Sequence, residues 1–184
     1  VLDKNLNQVN FHSGFNPYYG IKGIDVNSDG TKLVGASSLN NVKVFNISGS
    51  SLSLAQTFGS YGTGNSQFKN PSDVSYDSSD NIYVADLYNH RLVKYNSSGV
   101  YQSKYGSWNY NSNPFRYPYG VGISSADKIY VADFGQNSIQ EFSTGLSYIG
   151  KIGVAKSRMS IAKEAIKRIV SDPQLKSGAN FGLM

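Results

Sequence analysis

The chain has 184 residues, 39% of them hydrophobic and only 16% charged, with 14 Tyr, 19 Gly and no Cys. That length holds one ordinary domain or a domain with a piece of another, and the missing cysteine excludes disulfides, thiolate metal sites and Cys nucleophiles. The formal charge is +5, but the last 34 residues hold five Lys and two Arg against one Glu and one Asp, so residues 1–150 are balanced and present no strong polyanion-binding surface.

Many aromatics and glycines with few charges point to short strands and tight turns, an all-β body. No apolar stretch approaches the ~18 residues that span a bilayer. The opening VLDKNLNQVN has neither the basic start nor the apolar core of a signal peptide.

From residue 14 to 60 runs a weak copy of a repeat that becomes clear further on. At an offset of 50, VKVFNISG (42–49) falls on LVKYNSSG (92–99), and Leu33-Val34 falls on Tyr83-Val84. Ala36 then stands where the later copies have Asp. The middle copy, FKNPSDVSYDSSDNIYVADLYNHRLVKYNSSG (68–99), aligns at an offset of 47 with FRYPYGVGISSADKIYVADFGQNSIQEFSTG (115–145). Phe68 and Pro71 match Phe115 and Pro118, and the two Tyr-Val-Ala-Asp runs end on Asp86 and Asp133. The match drops one residue before Gly145, the expected counterpart of Gly99.

The middle copy predicts strands over 73–76, 82–85, 92–95 and 100–105. The turns between them are Asp77–Asn81, Leu87–His90 and Ser97–Gly99, rich in residues that bond their own backbone or accept left-handed geometry. Four antiparallel strands per 40–50 residues is the signature of a propeller blade, which cannot bury both its faces alone.

The order of Pro lead-in, apolar strand, Asp/Ser/Asn turn, IYVAD, Asn89-His90-Arg91 and closing Gly resembles the NHL repeat. The third copy departs from the triplet with Gln136-Asn137-Ser138. The resemblance implies a partial β-propeller of four-stranded blades over 1–153, degenerate at 14–60 and clear at 68–106 and 115–153. Propellers of this family close with about six blades. Three blades are therefore expected to be a segment of a longer protein, or to pair with another copy.

Residues 154–184 change texture. In SRMSIAKEAIKRIV, Met159, Ala162, Ile166 and Ile169 are spaced as on one helix face, Ser157 suits the N-cap and Asp172-Pro173 ends the helix. ANFGLM (179–184) reads as a buried strand. This fragment resembles the first helix and second strand of a von Willebrand factor A domain, as in PilY-like pilus-tip proteins. Such a domain binds metal through an Asp-x-Ser-x-Ser loop, which residues 140–157 lack, so no metal site is carried over.

Candidate chemistry is sparse. Asp25-Val26-Asn27-Ser28-Asp29-Gly30 matches the first half of an EF-hand loop, but position 12 is Ala36 where a bidentate Glu is needed, so the segment reads as a β-turn. His12 and His90 are too few for a zinc site or an acid–base pair. Lyases of this family use several His and Cys, which this chain cannot supply. No catalytic residue, cofactor or metal is expected.

Asp86 and Asp133 read as structural acceptors for N–H groups of the following turn, the alternative being a ring of carboxylates at the propeller mouth. Asn89, Gly99 and Gly145 are the accompanying turn positions. Lys69, Arg116 and Tyr117 should share one rim, with Tyr88 and Arg91 in the neighbouring turn. Cations interleaved with aromatics suit single-stranded nucleic acid; the other reading is solvated cations over Phe68 and Phe115 packed between blades. Sequons at Asn46 and Asn96 point to an exported protein. The expected function is a non-catalytic module binding a protein or glycan in a surface or secreted adhesion-type protein. A cytoplasmic RNA-binding propeller is the alternative.

Overall fold

The computed structural model describes residues 20–107 and 114–152. The chain divides into two compact units, Val1–Ile152 and Gly153–Met184. His12 and the expected A-domain-like helix and strand lie outside the described residues.

The described residues form three antiparallel four-stranded sheets, each built from consecutive strands in simple order. The first contains β1 (Ile21–Val26), β2 (Lys32–Ser37), β3 (Asn41–Ser48) and β4 (Ser51–Phe58). The second contains β5 (Pro71–Tyr76), β6 (Ile82–Asp86), β7 (Arg91–Tyr95) and β8 (Tyr101–Gly106). The third contains β9 (Pro118–Ile123), β10 (Ile129–Asp133), β11 (Ser138–Phe142) and β12 (Tyr148–Ile152). The innermost strands β1, β5 and β9 pack in sequence, with β5 between the other two. This is a partial β-propeller, an arc of three blades.

Two apolar seams hold the arc together. Between the first and second sheets, Val34, Ala36, Val42 and Val44 meet Phe68, Val74, Ile82, Val84, Val93 and Tyr95. Between the second and third, Tyr83, Ala85 and Leu92 meet Phe115, Val121, Ile129, Val131 and Phe142. Phe68 and Phe115 are among the largest fully buried side chains and plug equivalent gaps between blades.

Polar bonds stitch the inner strands across the seams. Ser75 Oγ and the Tyr76 amide donate to Asp25 Oδ2 at 2.8 Å, and the Val121 amide donates to Asp73 Oδ2 at 2.9 Å. On the outer side Tyr83 Oη donates to Thr144 O, also at 2.9 Å. Burial raises the Asp73 carboxyl above its usual range, and the neighbouring Asp25 charge adds to the effect.

The turns repeat more faithfully than the residues in them. Left-handed backbone recurs at Gly30, Asp80 and Asp127, at Asn40, His90 and Asn137, and at Gly49, Gly99 and Leu146. Asn, Asp and His tolerate that region better than most residues, and Gly tolerates it freely. The third set corrects an expectation: Leu146, at φ 61°, and not Gly145, occupies the place of Gly99 at φ 70°. The offset of 47 holds without a gap, because burial of the Leu146 side chain offsets its backbone cost. In the first sheet, pairing of Ser37 with Asn41 mirrors pairing of Asp86 with Arg91. Ser37, and not Ala36, therefore stands for the repeat's Asp, since the turn that follows is one residue shorter.

Candidate binding rim

Among the described residues, the loops leading into the second and third blades and the turns between second and third strands emerge at one rim of the arc. Its foundation is buried. Asp86 Oδ1 accepts the Lys69 amide at 2.7 Å, while Oδ2 accepts Asn89 Nδ2 and Arg91 Nε, each at 2.8 Å. Asp133 accepts the Arg116 and Tyr117 amides at 2.8 and 2.9 Å. The repeated carboxylates do bond backbone N–H groups, but those of the loop leading into the blade, not of the following turn. They do not form an open ring at the mouth: both are buried.

Arg91, expected at the binding surface, is buried as well. Besides its ion pair with Asp86 at 2.8 Å, its guanidinium donates to Thr63 O, Gly64 O and Gln67 O. Asn89 Nδ2 also donates to Gly62 O at 2.8 Å, and Tyr95 Oη to Asn65 O at 2.7 Å. Arg91, Asn89 and Tyr95 thus pin the loop that joins the first blade to the second. Burial, the largest influence, raises the Asp86 carboxyl despite the adjacent guanidinium.

His90 is buried in left-handed backbone, its Nδ1 against the Arg116 carbonyl and its ring 5.2 Å from that of Tyr117. It fastens one blade to the next lead-in loop. Among the described residues no group of three or more His, Cys, Asp or Glu is arranged to hold a metal.

Above this foundation the side chains reach outward. Arg116 and Tyr88 are exposed, Lys69 and Tyr117 are half-buried, and Lys69 Nζ sits 5.9 Å from the centre of the exposed Tyr61 ring. Phe134 is 76% exposed in the second turn of the third blade. Of the five expected binding residues, four share this rim. Tyr61 and Phe134 were not foreseen, since Tyr61 lies in an aperiodic linker and Phe134 takes the place of the buried Leu87. Asp29, Asp77, Asp80 and Asp127 all lie in first turns at the opposite rim. There Asp127 accepts the Ser78 amide and hydroxyl at 3.0 and 2.6 Å, which depresses its carboxyl below the usual range. Asn46 is exposed on β3, whereas Asn96 Oδ1 accepts the Ser98 and Val100 amides.

Four-stranded blades stacked side by side, with a rim of loops held from below, define a repeat-built propeller. Residues 68–95 match the NHL repeat. No protein of curated function matches the chain.

Solved structures are similar over most of the chain. One, from Bacteroides fragilis and provisionally assigned as a 6-phosphogluconolactonase, shares 20% identity with a TM-score of 0.56, covering 73% of this chain and 39% of its own. A protein of unknown function from Bacteroides thetaiotaomicron shares 18% identity with a TM-score of 0.56, covering 71% of this chain and 35% of its own. Virginiamycin B lyase from Staphylococcus aureus shares 15% identity with a TM-score of 0.54, covering 74% of this chain and 42% of its own. The chain thus spans less than half the length of each, and the likeness is one of fold.

Proposed function

We propose that the chain is a non-catalytic recognition module whose ligand, a protein or a glycan, lies across the rim bearing Tyr61, Lys69, Tyr88, Arg116, Tyr117 and Phe134. The observation that carries this reading is the contrast within the rim. Its buried polar framework fixes the loops, while Tyr61, Tyr88, Arg116 and Phe134 are exposed on that framework, with Lys69 and Tyr117 half-buried beside them. Aromatic side chains lose little rotamer entropy on binding and offer large faces, which suits them to sugar rings and peptide side chains. The sequence of residues 154–184, which we read as resembling part of an A domain, would suit a surface or secreted adhesion-type protein. The described histidine, His90, is buried beneath the rim.

RNA is the second reading, favoured by one observation. Lys22, Lys69, Lys104, Arg116 and Lys151 are among the cations at or beside this rim, whereas Asp86 and Asp133 are buried.

The test is biolayer interferometry against an oligosaccharide panel, a surface-protein extract and a single-stranded oligouridylate. A variant with Tyr88→Ala, Arg116→Ala and Phe134→Ala is compared with wild type. Binding to sugar or protein that falls at least ~10-fold in the variant supports the first reading. Binding to the oligouridylate that weakens steeply with salt supports the second. Equal binding by wild type and variant would sink the rim as the site.

A further inference from the structure

The repeat identifies which face of each sheet receives the next blade. In the first sheet Ala36, Val42 and Phe58 form a cross-strand row, and in the second Ala85, Leu92 and Tyr105 do so. Ala36, Val42, Ala85 and Leu92 are wholly buried by the following blade. Tyr105 lies 5.7 Å from Phe115 and 4.8 Å from Phe142, both of the third blade. At the same offset of 47 the third sheet carries Ala132, Ile139 and Ile152, also paired across β10, β11 and β12. That row is open: Ala132 is exposed, Ile139 is 44% exposed and Ile152 61%.

A face of the opposite kind is open at the other end of the arc. In the second sheet Val74, Tyr76 and Tyr101 pack onto the first. Pairing of Ile24 with Gly35, Val26 with Leu33 and Leu54 with Phe45 places Ile24, Val26 and Leu54 at the equivalent positions of the first sheet. Ile24 is 60% exposed and Leu54 57%. The described residues therefore leave two unlike apolar faces open, one that receives a blade and one that is received.

We propose that a second copy of this chain docks the Ile24–Val26–Leu54 face of its first sheet on the Ala132–Ile139–Ile152 face of the third. The contact continues an interface that occurs twice within the chain, with aliphatic side chains at the positions where the internal seams carry Phe58, Tyr105, Tyr76 and Tyr101. It is heterologous, since one copy's third sheet meets the other's first. Two copies related by a half-turn satisfy all four open faces; any other rotation yields larger rings or filaments.

Sedimentation velocity on the full chain, from about 1 to 100 µM, tests this. The chain of 20.0 kDa should sediment at about 40 kDa or a higher multiple. Ile139→Asp and Ile24→Asp, both at exposed positions, should each weaken association ~100-fold or more with an unchanged circular dichroism spectrum. An equimolar mixture of the two variants should recover a dimer, because one intact pair of faces remains. A wild type that stays monomeric at every concentration overturns the proposal. So does association that survives Ile24→Asp, which would mean that like faces pair. If Ile139→Asp alters the spectrum, Ile152→Lys on the edge strand is judged by the same criterion.

Discussion

Replacing Arg91 with Met tests whether the Asn-His-Arg triplet is foundation or surface. Met keeps most of the apolar stem and removes the guanidinium, so the perturbation is electrostatic. It leaves Asp86, which is 0% exposed, without its cation. Breaking one side of a buried pair costs about 3–5 kcal/mol. The Lys69 amide and Asn89 Nδ2 still donate to the carboxylate, which places the loss at the lower end, about 3 kcal/mol. Of the three carbonyls that Arg91 caps, those of Thr63 and Gly64 belong to exposed residues and can turn to water, so they add little. The loss should also depend on pH. Burial has already raised the Asp86 carboxyl, and removing the guanidinium raises it further. A carboxyl raised on folding destabilises only while ionised, so its cost is largest near neutral pH and fades as pH falls toward the unfolded value of about 4. Urea unfolding followed by circular dichroism at pH ~7 and pH ~4.5 reads both effects. A loss under about 1 kcal/mol at the higher pH, or one as large at the lower pH, would refute the assignment of Arg91 to the foundation.

Phe115→Ala should cost about 3–5 kcal/mol in urea unfolding, because the ring fills the seam between the second and third blades; a loss below about 1 kcal/mol would show that the seam closes without it. Gly99→Ala should lower stability by about 1–2 kcal/mol, since a Cβ there would lie 2.6 Å from Gln56 Nε2 in backbone at φ 70°. The matching Leu146→Gly should also destabilise, because lost burial outweighs the relaxed backbone, and a gain in melting temperature would contradict this. Asp127→Asn should weaken the staple to Ser78 at neutral pH. A carboxyl depressed on folding contributes stability above its unfolded value and loses it as pH falls through the folded one. Wild type and variant should therefore converge in stability below pH ~4, and a constant difference would argue against the bond.

How much of this was legible in the sequence depended on whether the repeat carried backbone or side-chain information. The strands and turns of the second blade follow from alternation and turn chemistry, because IYVAD and DSSDN answer to local rules. Arg91 was misplaced for the opposite reason. An Arg beside Asn and His in a turn reads as solvated, and only the fold sets Asp86 and three linker carbonyls around it. Ala36 misled because the degenerate blade's second turn is one residue shorter, a change that an alignment at a single offset of 50 cannot register.

Leu146 makes the same point in reverse. A non-glycine residue holds left-handed backbone there because its side chain is buried in the second seam, so tertiary packing overrides the turn's residue preference. Variation among the blades consequently separates two kinds of position. Where the geometry persists although the residue changes, as from Gly99 to Leu146, the position serves the scaffold. Where the side chain changes from buried Leu87 to exposed Phe134 on the same turn, nothing in the scaffold requires the aromatic. That difference, more than charge or composition, directs the search for a ligand to the rim and, among the rim residues, to Phe134 first.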